Sequence, residues 1–167
     1  MNTGLRRDPD ARDSDISGVL ARLARRGAAA SNPDFFRECV TDLVELFGVR
    51  YVSIGVFADS LRTSVRSLVT WEVDGFVDNF EYTLLGTPCM SVLTNSQYAV
   101  PTDVQAQFPS DRDLRRLGVD SYFGSALGES VEDNLGVLVL MDDKPMQLTS
   151  EERNLVKTYS AWISNEL

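Results

Sequence analysis

Apolar residues recur along this chain with two different spacings, and the points where the spacing changes mark its elements. Residues 1–13 are polar and charged with no apolar period, which predicts a disordered tail. From Ser14, a helical spacing of Ile16, Val19, Leu20, Leu23 and Ala24 sets in, with Arg22, Arg25 and Arg26 on the other face. It predicts an amphipathic helix over 14–27, capped by Ser14 or Asp15 and stopped at Gly27. So short a helix is marginal alone in water, and its stripe needs a partner on its own domain or in a second subunit. Asn32 followed by Pro33 is a second helix start, and Phe36, Val40, Leu43 and Phe47 carry one stripe as far as Gly48. Cys39 falls on the apolar side of this helix and reads as a buried structural thiol.

The period then shortens to two. Tyr51–Ala58 and Ser64–Trp71 read as strands, with Gly55 marking a bulge or a close backbone approach. Asp74-Gly75 signals a hairpin into a weaker edge strand holding Phe76, Phe80 and Tyr82, interrupted by Asp78 and Glu81. The excursion over 86–118 is too long for an ordinary connector, and compact domains keep such segments mainly for binding. Within it we expect a short helix over Pro88–Leu93 capped by Thr87 and an extended piece over Tyr98–Val100. Helical turns are expected over Asp103–Phe108 and Asp111–Leu117, the latter capped by Ser110 or Asp111 and closed by Gly118. Ser121–Leu127 and Leu135–Met141 are apolar enough for central strands joined by a polar loop. Thr149 with Glu152 is a capping box, opening a helix whose apolar face is Leu155, Val156, Tyr159, Trp162 and Ile163. That pattern still runs at Leu167, which leads us to expect a further segment downstream. The fold class is therefore α+β: a central antiparallel sheet of five to six strands, with N- and C-terminal helices on one face. A lid of loop and short helices covers the other face, with a pocket between sheet and lid.

Charge and composition narrow the chemistry. The net charge is −9, yet residues 1–30 hold six Arg against four Asp, leaving −11 for the remainder, a field that repels nucleic acid. No apolar run is long enough for a membrane span, and the N-terminus lacks the apolar core of a secretory signal, so a cytoplasmic location is the expectation. The two cysteines are too few for a disulfide framework, and histidine is absent. That absence removes Ser-His-Asp and Cys-His machinery, His-ligated haem and His-based zinc sites. Asp142-Asp143 alone offers too few oxygens for a hard cation, so no metal site and no catalytic residue is assigned.

Four segments together carry a family resemblance. Leu85-Gly86-Thr87-Pro88-Cys89, Val104-Gln105-Ala106-Gln107-Phe108-Pro109 and Leu117-Gly118-Val119-Asp120-Ser121-Tyr122 are three of them, and the run from Asn134 to Pro145 is the fourth. Over residues 32–167 the chain resembles a bacterial GAF domain of the kind found in sensor histidine kinases and diguanylate cyclases. The resemblance implies a GAF/PAS-like regulatory sensor of a signal-transduction protein, such as a two-component system, and not an enzyme. It would bind an unidentified small molecule, form a homodimer through its terminal helices (14–26 and 150–167), and pass a signal to a downstream output domain. A ligand-free dimerisation scaffold of the same fold is the alternative, followed by a thiol-based redox enzyme using Cys89 with Cys39. Departures from subfamily patterns are specific. Bilin-binding relatives place a cysteine beside a histidine and haem sensors need a histidine ligand, which argues against a covalent bilin or a haem here. The Asn-Lys-Phe-Asp-Glu signature of cyclic-nucleotide binders finds no place around the two lysines, Lys144 and Lys157. Methionine sulfoxide reductases of this fold rely on more cysteines than Cys39 and Cys89. No cofactor is identified.

The candidate pocket residues are Trp71, Tyr82, Cys89, Tyr98, Phe108 and Tyr122; the five aromatics read equally as core, and for Cys89 packing is the plainer role. Cys89 near a helix start would have its thiolate favoured by the helix dipole, and otherwise serves packing. Asp103, Gln105, Asp111 and Asp142 have the chemistry to orient a ligand amine, with Asp111 as a cap and Asp142 as a turn residue the plainer roles.

Overall fold

The computed structural model describes residues 34–167 together with Ser17, Gly18 and Ala21. The tail expected over 1–13 lies outside the described residues, as do the cap and proline expected at Asn32 and Pro33. Of the helix expected over 14–27, only Ser17, Gly18 and Ala21 are described, and these are helical and exposed. The first full helix, α1 (Phe35–Phe47), has Asp34 at its N-cap and ends at Gly48 in the left-handed conformation. Strands β1 (Tyr51–Phe57), β2 (Ser64–Glu72), β3 (Gly75–Val77) and β4 (Glu81–Thr83) follow. The excursion holds α2 (Pro88–Asn95), β5 (Gln97–Val100), α3 (Val104–Gln107) and α4 (Arg112–Leu117). Strands β6 (Ser121–Ala126) and β7 (Gly136–Asp142) form the last hairpin, and α5 (Ser150–Glu166) closes the chain. Among the described residues no helix is long and apolar enough to cross a membrane.

The strands form one antiparallel sheet in the order β3-β2-β1-β7-β6-β5, with β4 also paired to β2. It has seven strands where five to six were expected. The edge run splits into β3 and β4, because Asp78 and Asn79 leave the ladder before Phe80 rejoins it. There Ser67 N–H donates to the Phe80 carbonyl and Phe80 N–H to Ser67 Oγ, both at 2.8 Å. The extended piece in the excursion also joins the sheet, as β5 on β6. At the tip between β2 and β3 the turn is Val73-Asp74, one residue earlier than the Asp74-Gly75 reading. Glu72 pairs with Gly75, and Val73 takes a φ of 60°.

A bulge in β2 decides which side chains meet. Ile54 pairs with Val69 but Gly55 pairs with Ser67, so Leu68 is the extra residue. One inserted residue reverses the faces of everything beyond it. Val65 and Ser67 therefore face the lid, whereas Val69 and Trp71 face the helices. Gly55 carries both features expected of it: it sits at the register shift, and Val65 lies too close to allow it a Cβ.

Two cores result, one on each face. Val52, Ile54, Phe123, Leu138 and Leu140 meet Val40 and Leu43 of α1 and Val156, Tyr159 and Ile163 of α5 on the helix face. Val65, Tyr122, Val137 and Val139 meet Leu84, Cys89, Val92, Val104 and Leu114 on the lid face. The expected capping box of α5 is present, with Glu152 N–H donating to Thr149 Oγ1 (3.2 Å) and Thr149 N–H to Glu152 Oε2 (2.9 Å). Buried Asn134 holds the β6–β7 connection, its Oδ1 accepting from Leu127 N–H (3.1 Å) and Gly136 N–H (3.0 Å).

At Gly136 the two central strands touch. A Cβ there would run into the Gly55 carbonyl and sit 2.7 Å from Val56 Cα, both of them backbone that cannot yield. Gly136→Ala is expected to lower the unfolding free energy by about 2 kcal/mol or more, read as a lower urea midpoint. Thr149→Ala, which removes one cap bond, should cost only about 1 kcal/mol.

Candidate functional site

A cavity of about 260 Å³ opens between the lid face of the sheet, the segment from β4 to the start of α2, and α4. Its floor comes from the sheet and from α2. Val139 and Met141 of β7 and Tyr122 of β6 face it by strand alternation, and Cys89 reaches it from the first turn of α2. Its rim comes from Leu85, Ser110 and the first turn of α4.

The floor contains a closed polar cluster. The Tyr122 hydroxyl donates to Cys89 Sγ at 3.1 Å, and the Tyr82 hydroxyl lies 3.3 Å from the same sulfur. Gly124 makes this possible, since a Cβ there would meet the Tyr122 hydroxyl and stand 2.6 Å from Val92 Cγ2. Burial pushes the Cys89 thiol up from its ordinary 9.0, outweighing the two tyrosine hydrogen bonds that pull the other way. Burial likewise lifts both phenols well above 10.0, with Cys89 adding to the effect. The helix-dipole expectation for Cys89 is thus overruled by desolvation: this is a neutral thiol. Cys39 lies in the core on the other face of the sheet, so the sheet separates the two thiols and a Cys89–Cys39 redox couple has no geometry.

The rim is charged. Asp111 caps α4 as expected, its Oδ1 accepting from Asp113 N–H (3.1 Å) and Leu114 N–H (3.3 Å). Half-burial raises its pKa above 3.8 against the pull of those bonds. Arg116 is held between Asp113 (3.3 Å) and Glu72 (3.6 Å). Thr87 occupies the N-cap position of α2 but turns its hydroxyl away, donating to the Leu84 carbonyl at 2.7 Å.

Of the six candidate residues, Tyr82, Cys89 and Tyr122 meet at the cavity. Tyr98 and Phe108 lie on the same face but outside the lining, edge-to-face with each other at 6.4 Å between ring centres. Trp71 is on the opposite face against Phe76 (5.1 Å, edge-on), because the Leu68 bulge reverses the alternation counted from Val65. Of the four polar candidates only Asp111 lines the cavity. Gln105 is spent on the Val119 carbonyl (2.8 Å), Asp103 sits in a left-handed turn, and Asp142 bonds its neighbour Asp143 N–H (3.0 Å). Sequence reasoning missed Arg112, Arg116 and the Phe80 wall. The i, i+1 and i+5 spacing of Asp111, Arg112 and Arg116 in a six-residue helix gave no apolar stripe to orient them.

A model of the GAF domain family matches residues 32–167. The chain belongs to the GAF domain family. GAF domains are generally regulatory sensor modules of signalling proteins, not catalysts. Among solved structures the chain is similar to the GAF domain of a phosphoenolpyruvate-protein phosphotransferase from Coxiella burnetii (TM-score 0.72, 16% identity, 92% of each chain covered). It is also similar to the corresponding GAF domain from Acinetobacter (TM-score 0.64, 13% identity), covering 93% of this chain and 92% of that one. A third is the chromophore-binding domain of a bacteriophytochrome from R. palustris (TM-score 0.69, 12% identity), where 98% of this chain spans 62% of that one. At these identities the likeness is one of fold. No curated protein matches the chain.

The raised pKa values fix a sign for alkaline stability. The folded GAF domain keeps protons on Cys89, Tyr82 and Tyr122 at pH values where the unfolded chain releases them, above about 9–10. Stability present below pH 9.0 is therefore expected to fall as pH rises through that range. Tyr122→Phe should make the fall shallower in urea melts taken across pH 8–11.

Proposed function

We propose that this GAF domain is a sensor that binds a small molecule in the cavity between sheet and lid and relays occupancy through its terminal helices to an output domain. The observation that carries the reading is the cavity itself: walls of Phe80 and Leu114, a floor of Val139, Met141 and the mutually bonded Tyr82, Cys89 and Tyr122, and charged groups only at the rim. That is the usual layout of a ligand site. At about 260 Å³ it lies just below the roughly 300–1,000 Å³ of drug-sized sites, so its occupant is small.

A route to the C-terminal helix supports the relay. Tyr122 in the floor and Ser125 share β6, and Ser160 Oγ of α5 donates to Ser125 Oγ at 2.9 Å. Gln97 of neighbouring β5 donates to the Arg153 carbonyl of α5 at 3.0 Å. A shift of β6 on ligand binding would therefore move contacts of α5, which is how a bistable element passes on a signal. We place the homodimer contact at the segment over 14–27, expected from its sequence to be helical, and at the outer face of α5, where Asn154, Lys157 and Ala161 are exposed, and the protein in the cytoplasm.

A ligand that binds only the folded state stabilises it by about 2.7 kcal/mol at one hundred times its Kd. Screening a metabolite library by thermal shift should give at least one compound raising Tm by several degrees. A library of wide chemistry without any shift would leave the ligand-free dimerisation scaffold as the function. Sedimentation of the chain with and without residues 1–27 should show a dimer that weakens on truncation, and a monomer in both forms would remove the dimer.

A further inference from the structure

The cavity rim carries two charged groups that have no ion pair among the described residues. Asp111 uses Oδ1 for both of its cap bonds, and Oδ2 accepts no hydrogen bond and no ion pair among the described residues. Arg112, next in the chain and lining the same rim, likewise has no ion pair among the described residues. The other two charged rim residues, Asp113 and Arg116, are already paired with each other. A carboxylate with one oxygen free and a solvent-exposed guanidinium, both lining one rim, suit a ligand that bears both signs on adjacent atoms.

Below them the lining carries no further charge. The Tyr82 and Tyr122 hydroxyls are engaged with Cys89, and Ser53 Oγ is bonded to Thr70 Oγ1 at 2.8 Å. Phe80, Leu114, Leu117, Val139 and Met141 supply an apolar surface, with Thr83, Thr87 and Ser110 the other hydroxyl groups of the lining. A ligand therefore presents its polar end to the rim and an apolar group to the floor.

We propose that the cavity binds a free α-amino acid with an apolar side chain, its ammonium on Asp111 Oδ2 and its carboxylate on Arg112. This rests on the sensor reading and names its ligand class. The ammonium gains a charge-assisted hydrogen bond from a carboxylate whose half-burial makes an unpaired charge costly. Arg112 matches a carboxylate with its planar fork. Phe80 and Tyr82, with ring centres 6.0 Å apart, complete an aromatic wall for the side chain.

The test uses matched probes on the full chain: leucine, isoamylamine and isocaproate, and phenylalanine, phenethylamine and phenylpropanoate. Thermal shift and calorimetry should show at least one of the two amino acids binding, and about tenfold or more tighter than the amine or acid that lacks one of its charges. Asp111→Asn keeps a good helix cap while removing the charge. It should weaken the amino acid by about tenfold and leave the matching acid unchanged. Arg112→Gln should do the reverse, weakening the amino acid and sparing the amine. An amine or acid that binds as tightly as its parent amino acid overturns the proposal, and so does an amino acid affinity unmoved by both variants. If neither series binds while a wide metabolite library yields another ligand, the proposal falls and the sensor reading stands. If that library also yields nothing, both fall.

Discussion

The pairing of β1 with β7 is the constraint on which the rest of the molecule depends. Six residue pairs run from Tyr51↔Met141 to Val56↔Gly136, at the centre of the sheet order. Both strands are apolar on both faces, so neither core forms without them: Val52, Ile54, Leu138 and Leu140 serve the helices, while Val137 and Val139 serve the lid. The close approach at Gly55 and Gly136 fixes their register sterically as well as by the ladder. Every cavity residue from the sheet takes its direction from that register, including Ser53, Val139 and Met141.

The lid is fastened unevenly around this centre. Along the α4 end, Tyr51 Oη donates to the Leu117 carbonyl at 2.7 Å and Gln105 Nε2 to the Val119 carbonyl at 2.8 Å, across a partly buried seam. Thr102 Oγ1 adds a bond to Asp120 Oδ2 at 3.0 Å. At the rim, the segment before α2 meets the segment before α4 through Ser110 and the Gly86 carbonyl, 3.4 Å apart and exposed. The rim edge thus has the least to break, and local opening draws on such weakly held edges. The sheet between the two cores also separates the two thiols. Cys89 lies on the lid face with Tyr82 and Tyr122, and Cys39 lies in the core on the helix face.

Much of the fold was legible in the chain itself. Apolar periods located α1, β1, β2, β6, β7 and α5 to within a few residues, since each buries a long face whose spacing admits one secondary structure. Local hydrogen-bonding chemistry gave the Thr149–Glu152 box, the Asp111 cap and the Gly118 stop, because each closes within four residues. The absence of histidine and the acidic remainder narrowed the chemistry before any geometry was known.

Tertiary structure alone decided the rest. The Leu68 bulge carried Trp71 to the helix face, and nothing local in that strand marks where the extra residue falls. Desolvation by packing from three distant segments kept Cys89 neutral, against the local preference of a helix start. The union of Tyr82, Cys89 and Tyr122, and the placing of Asp111 and Arg112 above them, depend on residues that only the closed sheet brings into one cavity. Sequence fixes which faces must be buried and how short segments end. Which polar groups are left without partners is a property of the assembled fold, and that remainder is what a ligand can read.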